Sequence, residues 1–176
     1  MIQNLARDVQ AFTSNVFLVT GDRTVLVDAG ANFEVTAAVR NHVDNAEAVA
    51  ATFDVPVFGF DVDHPAVDEP VADGETVRLG DHEYTALHTP GHKDDHLCFY
   101  APDPAVLFVG DLVFANGSFG RTDLQEGDRD LLIESIDRLR DAVDDDLAAM
   151  YAGHGPSVTE RPFDDVELAA QAARMR

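Results

Sequence analysis

Three segments of this 176-residue chain carry the side chains best suited to chemistry. His88-Thr89-Pro90-Gly91-His92 runs directly into Lys93-Asp94-Asp95-His96. Gly110-Asp111 closes the apolar run from Val106 to Val109, and Gly153-His154-Gly155-Pro156 follows another apolar run. Imidazole and carboxylate together are borderline ligands for zinc, iron or manganese. Flanking glycines let the backbone turn sharply, so short side chains from separate loops can point into one site. Each segment has a plainer reading by itself: a turn histidine, or an aspartate capping a helix. His92, Asp111 and His154 stand out as a set, because each falls where an apolar strand should stop, and ligands collect beyond strand ends in open α/β structures. His42, His64 and His82 are expected at the surface or in packing. Cys98, the single cysteine, sits in the apolar run Leu97-Cys98-Phe99-Tyr100 and reads as a small buried hydrophobe rather than a nucleophile.

The elements that must position these residues follow from periodicity. Val16–Thr20 and Thr24–Val27 read as a hairpin around Gly21-Asp22-Arg23, the second strand ending in Asp28-Ala29-Gly30. Further strands are expected at Val55–Phe60, Thr76–Leu79, Tyr84–His88, Leu97–Tyr100, Val106–Val109 and Leu147–Ala152. Asp128 can N-cap a helix from about Arg129 to Val143 with Leu131, Leu132, Ser135, Ile136 and Leu139 on its inner face. A closing helix is expected from Val166 to Met175. Glu34–Phe53 contains no Gly or Pro, and its apolar spacing fits one amphipathic helix of about twenty residues, longer than the ~11–12 of an average helix. Strands with interspersed helices, and no repeat or linker, predict one α/β domain over 1–176.

Composition bounds the partners. The chain holds 33 acidic against 12 basic residues, for a formal charge of −21, and Lys93 is its only lysine. Such a charge excludes nucleic-acid binding through a generally basic surface and argues against anionic lipid. Twenty-four aspartates with one lysine fit the proteins of salt-accumulating halophiles, although an ordinary acidic cytosolic protein remains the alternative. No stretch resembles a signal peptide or a ~20-residue membrane span, so a soluble cytoplasmic protein is expected.

The ordered succession Ser14-Asn15-Val16-Phe17-Leu18-Val19, Val25-Leu26-Val27-Asp28-Ala29-Gly30, His88-Thr89-Pro90-Gly91-His92, Phe108-Val109-Gly110-Asp111 and Gly153-His154-Gly155-Pro156 resembles the metallo-β-lactamase superfamily. Gly120-Arg121-Thr122-Asp123 with Gly127-Asp128, and the segment His92–Tyr100, narrow the resemblance towards its glyoxalase II-like and persulfide dioxygenase-like branch. The resemblance implies a four-layer αβ/βα sandwich with a metal site along one edge. His92 would ligate a first metal, Asp111 would bridge or bind the metal, and His154 would ligate a second. Asp28 would be a buried carboxylate near the site, while Arg121 and Asp123 would brace the loop over it. Zinc is the implied cofactor, with iron or manganese as alternatives. The implied reaction is hydrolysis of a small-thiol thioester by metal-bound hydroxide, with an iron-dependent persulfide dioxygenase as runner-up.

One element of the family pattern is missing. The His-x-His-x-Asp-His loop does not occur, and the nearest match is Arg40-Asn41-His42-Val43-Asp44-Asn45. Only eleven residues separate Asp28 from Arg40, whereas a short helix, a strand and their connections need about twenty. An apparent excision near residues 44–45, fusing two helices and removing one core strand and the metal loop, accounts for the overlong helical pattern; it is either a true deletion or the mark of an incomplete sequence of a longer protein. A catalytically inactive truncated relative is therefore a third reading. Only about twenty residues follow His154, too few for the C-terminal helical region with which glyoxalase II proteins commonly grip glutathione.

Overall fold

The computed structural model describes residues 1–9, 13–28 and 54–175. The long helix expected over 34–53, the excision near 44–45 and His42 lie outside the described residues. Contacts divide the chain into two compact units, Met1–Val71 with Arg78–Asp81, and Ala72–Val77 with His82–Arg176.

In the first unit β1 (Ile2–Asn4), β2 (Phe17–Val19) and β3 (Val25–Val27) form an antiparallel sheet in that order. The expected hairpin is present, with Phe17 opposite Val27 and Val19 opposite Val25. Val16, Phe17 and Val19 are buried. The strand expected over Val55–Phe60 is reduced to β4 (Phe58–Gly59), which pairs in parallel with β5 (Glu69–Pro70). Pro56 withholds a backbone N–H there, which limits the ladder. His64 is exposed, as expected.

The second unit holds the candidate site. A five-stranded sheet runs in the order β10–β9–β8–β7–β6, with β6 at Thr76–Leu79 (Thr76 and Val77 in this unit), β7 at His82–His88, β8 at Leu97–Ala101, β9 at Val106–Gly110 and β10 at Ala149–Ala152. β7, β8 and β9 pair antiparallel, while β10 joins β9 in parallel. Residues 106–109 of β9 are buried at every position, which is why this strand reads as an unbroken apolar run rather than an alternating one. His82 begins β7 and is exposed.

The parallel pair needs a crossover, and α1 (Arg129–Ala142) supplies its helix. The Asp128 carboxylate accepts from the backbone N–H groups of Asp130 and Leu131 at 2.9 and 3.0 Å, as the sequence predicts. Leu132, Ile136 and Leu139 are fully buried in a core with Leu107, Val109, Met150, Val166 and Ala169. Burying each of these α1 side chains contributes about 1.5–3 kcal/mol. Leu131, expected on the inner face, is exposed, because one residue is about 100° of helix and Leu132 already faces the sheet. α2 (Pro162–Ala172) starts four residues earlier than expected and also ends earlier. Pro162 suits the first helical turn, and Asp164 and Asp165 complement the positive end of the helix dipole. No helix among the described residues is long and apolar enough to cross a membrane.

Candidate metal centre

Strand ends bring His92, Asp111 and His154 together, as their sequence positions suggest. Asp111 follows β9 and His154 follows β10, and the two strands are hydrogen-bond neighbours, so their C-terminal ends are adjacent. His154 Nδ1 lies 2.7 Å from Asp111 Oδ1, a hydrogen bond in which the imidazole donates to the carboxylate. His92 Nε2 lies 3.4 Å from Asp111 Oδ2. One carboxylate is thus spanned by two histidines, one on each oxygen. Gly153 makes this approach possible, since a side chain there would fall on Asp111 Oδ1.

The two spacings differ in meaning. A charge-assisted N–H···O bond is about 2.7–2.9 Å long, which the His154 contact matches and the His92 contact exceeds. Two donors about 2.0–2.1 Å from a shared tetrahedral zinc stand about 3.3 Å apart, close to the His92–Asp111 spacing. His92 Nδ1 donates to the Arg121 carbonyl at 2.8 Å, which fixes the ring and turns Nε2 towards Asp111. Metal-ligating imidazoles are held in this way, with the remote nitrogen bonded to a backbone carbonyl or carboxylate. The donor set therefore fits a metal at His92 and Asp111, with His154 beyond the other carboxylate oxygen. The three residues do not bring three donor atoms within 4.8 Å of one another, so they do not form one compact cage. The group of carboxyls that does meet this spacing among the described residues is Asp94, Asp95 and Glu126, an acidic patch where Lys93 Nζ sits 2.9 Å from Glu126.

The remaining expectations divide. Arg121 clamps Asp123 through paired bonds of 2.6 and 2.7 Å, an exposed brace across the turn, while the Arg121 backbone carbonyl holds His92. Asp28, expected to be buried, is exposed at the end of β3 with φ of 65°. Aspartate tolerates that left-handed conformation better than most residues. Cys98 is fully buried, and burial pushes its thiol up to about 12, so it is no nucleophile at neutral pH. His96 was given no role by its sequence position, yet its Nε2 accepts from the Asp111 backbone N–H at 3.0 Å. Burial, with the His92 imidazole nearby, lowers its pKa to about 4, so the ring is neutral at pH 7. The four-residue spacing from His92 was the only signal available for it.

The profile of the metallo-β-lactamase superfamily matches residues 33–154, most of the chain. The chain belongs to the metallo-β-lactamase superfamily. Among curated members it is 36% identical over 122 residues to the hydroxyacylglutathione hydrolase of Chromohalobacter salexigens, covering 68% of this chain and 46% of that one. It is 38% identical over 87 residues to the hydroxyacylglutathione hydrolase GloC of Haemophilus influenzae, covering 49% of this chain and 40% of the relative. The chain thus spans less than half the length of these relatives. Two solved structures show the same α/β fold. ETHE1 from Myxococcus xanthus superposes with a TM-score of 0.74 at 19% identity, over 99% of this chain and 90% of its own. The di-iron-bound form of TTHA1623 gives 0.67 at 27% identity, over 90% and 92%.

Proposed function

We propose that this superfamily member is a metal-dependent hydrolase that cleaves a small-molecule thioester, with His92 and Asp111 as ligands of one metal position and His154, on the far oxygen of Asp111, as the ligand of a second. The observation that carries the reading is the Asp111 carboxylate spanned by His92 on one oxygen and His154 on the other. Relatives named hydroxyacylglutathione hydrolase support a thioester substrate. Zinc is the first choice for an imidazole and carboxylate set, and the di-iron form of a related structure supports iron as the alternative. When bound, the metal would polarise the thioester carbonyl and lower the pKa of water. The protein's own contribution is orientation. The Arg121 carbonyl fixes the His92 ring, Gly153 leaves room for the carboxylate, and His154 pins Asp111 Oδ1.

The test is metal analysis of protein purified in high salt and reconstituted with zinc, paired with hydrolysis of thioesters of small thiols. Wild type should retain zinc and hydrolyse the substrate, and His92→Ala should lose both. Well-folded wild-type protein that retains no metal would overturn the reading.

A second reading has its own observation. The sequence lacks His-x-His-x-Asp-His, so the four-layer sandwich is proposed here without one core strand and its metal loop, and these residues do not supply the family's complete two-metal set. On that reading the chain is an inactive relative. Inserting a loop-bearing segment between Asp44 and Asn45 separates the two: activity gained only on insertion favours the inactive relative.

A further inference from the structure

A line of hydrogen bonds runs behind the Asp111 carboxylate, and both of its ends are backbone groups of fixed polarity. At one end the Asp111 N–H donates to His96 Nε2 at 3.0 Å. A backbone N–H can only donate, so Nε2 must present its lone pair and the proton of the neutral ring resides on Nδ1. Nδ1 lies 2.8 Å from Thr89 Oγ1, which therefore accepts. The Thr89 hydroxyl, fully buried, then has its own proton to place, and Cys98 Sγ is 3.3 Å away. Cys98 passes its S–H to the Val109 carbonyl at 3.5 Å, and a carbonyl can only accept. Read from either end, the proton positions agree.

The geometry leaves little alternative. Thr89 and Cys98 are both 0% exposed, so either hydroxyl or thiol without a partner would cost about 1–3 kcal/mol. The line joins the loop after β7, β8, and both ends of the β9 turn that carries Asp111. Gly110, at φ of 50°, has no side chain because one there would fall on His96 Nε2.

We propose that His96 is a positioning residue: as an Nδ1–H imidazole anchored by Thr89 and Cys98, it captures the Asp111 backbone N–H and so fixes the Asp111 carboxylate between His92 and His154. It touches no reacting atom. The inference deepens the metal-site reading and rests on it only where zinc affinity is the readout.

Three measurements test it. In metal-free protein, long-range proton–nitrogen NMR should find His96 protonated on Nδ1 and bare on Nε2. A ring protonated on Nε2 overturns the proposal. Hydrogen exchange at the Asp111 amide should speed up at least tenfold in His96→Leu, yet stay near wild type in His96→Gln, whose amide oxygen can still accept. Equal exchange in all three overturns it as well. Zinc affinity, by chelator competition, should fall about 10–100-fold in His96→Leu and within about threefold in His96→Gln. An equal loss in both variants would mean that His96 acts through packing, against the proposal. If His96→Leu does not fold, Thr89→Val against Thr89→Ser carries the comparison, since only serine keeps the hydroxyl. A wild-type chain without zinc affinity would defeat the metal reading alone, and the tautomer and exchange results would still decide the line of bonds.

Discussion

At the residue scale the site depends on how closely other groups approach one carboxylate. Asp111 has His154 at 2.7 Å on one oxygen and His92 at 3.4 Å near the other, with Gly153 against Oδ1. Gly153→Ala adds a methyl group where that oxygen sits, so the carboxylate must move. Zinc affinity should fall by about tenfold or more, in the range of lost supporting contacts, with the far-ultraviolet circular dichroism spectrum retained. Cys98 gives a test with a definite pH sign. Burial holds its thiol at about 12 in the folded chain, above its ordinary value of 9.0. The folded state therefore keeps this contribution to stability below pH 9 and loses it as pH rises towards 12, because only the unfolded chain gains the thiolate. Iodoacetamide at pH 8.5 should leave native protein unmodified and alkylate it in urea. Rapid labelling of native protein would contradict the buried placement. His92, Asp111 and His154 were legible because each follows an apolar run. The bonded line of His96, Thr89 and Cys98 was not, although Cys98 read correctly as buried, since bonds to side chains and backbone groups distant in sequence leave no pattern in a residue's own neighbours.

At the element scale α1 links the site loops to the core. Its N-cap Asp128 also donates its own backbone N–H to the Gly91 carbonyl at 2.8 Å, and Ser135 donates to the Pro90 carbonyl at 2.7 Å. Arg138 adds a bond to the His88 carbonyl at 2.7 Å, so the helix and its cap grip the His88–His92 turn at three points. Asp128→Ala should lower stability by about 1 kcal/mol in urea unfolding. Leu132→Ala, in a fully buried position, should cost about 2–5 kcal/mol, and a loss below 1 kcal/mol would place Leu132 outside the core. The start of α1 was readable from its cap. The start of α2 was not, because the apolar spacing begins only at Val166, whereas Pro162 and the acidic pair Asp164 and Asp165 mark the true first turn. The short strands β1 and β5 also escaped the pattern, since two or three residues hold too few alternations to register.

At the scale of the whole molecule, a formal charge of −21 makes self-repulsion the dominant long-range term. Salt shortens the Debye length from about 10 Å at 0.1 M to about 3 Å at 1 M. Raising KCl from 0.1 to 2 M should therefore lift the melting temperature by at least about 5 °C, equivalent to roughly 1–2 kcal/mol. A melting temperature that falls with salt would remove the salt-adaptation reading. The sequence by itself determined the family, the strands whose ends meet, and the His92, Asp111 and His154 side chains that gather there. Covalent order and apolar periodicity are local properties, and they survive in a string of letters. Only the tertiary structure decided that Asp28 faces solvent, that the Arg121 carbonyl rather than its guanidinium holds His92, and that His96 grips the Asp111 backbone. Those outcomes depend on which backbone groups neighbouring strands and loops leave within about 3 Å of a side chain, and hydrogen bonds of that length are fixed only when the chain has packed.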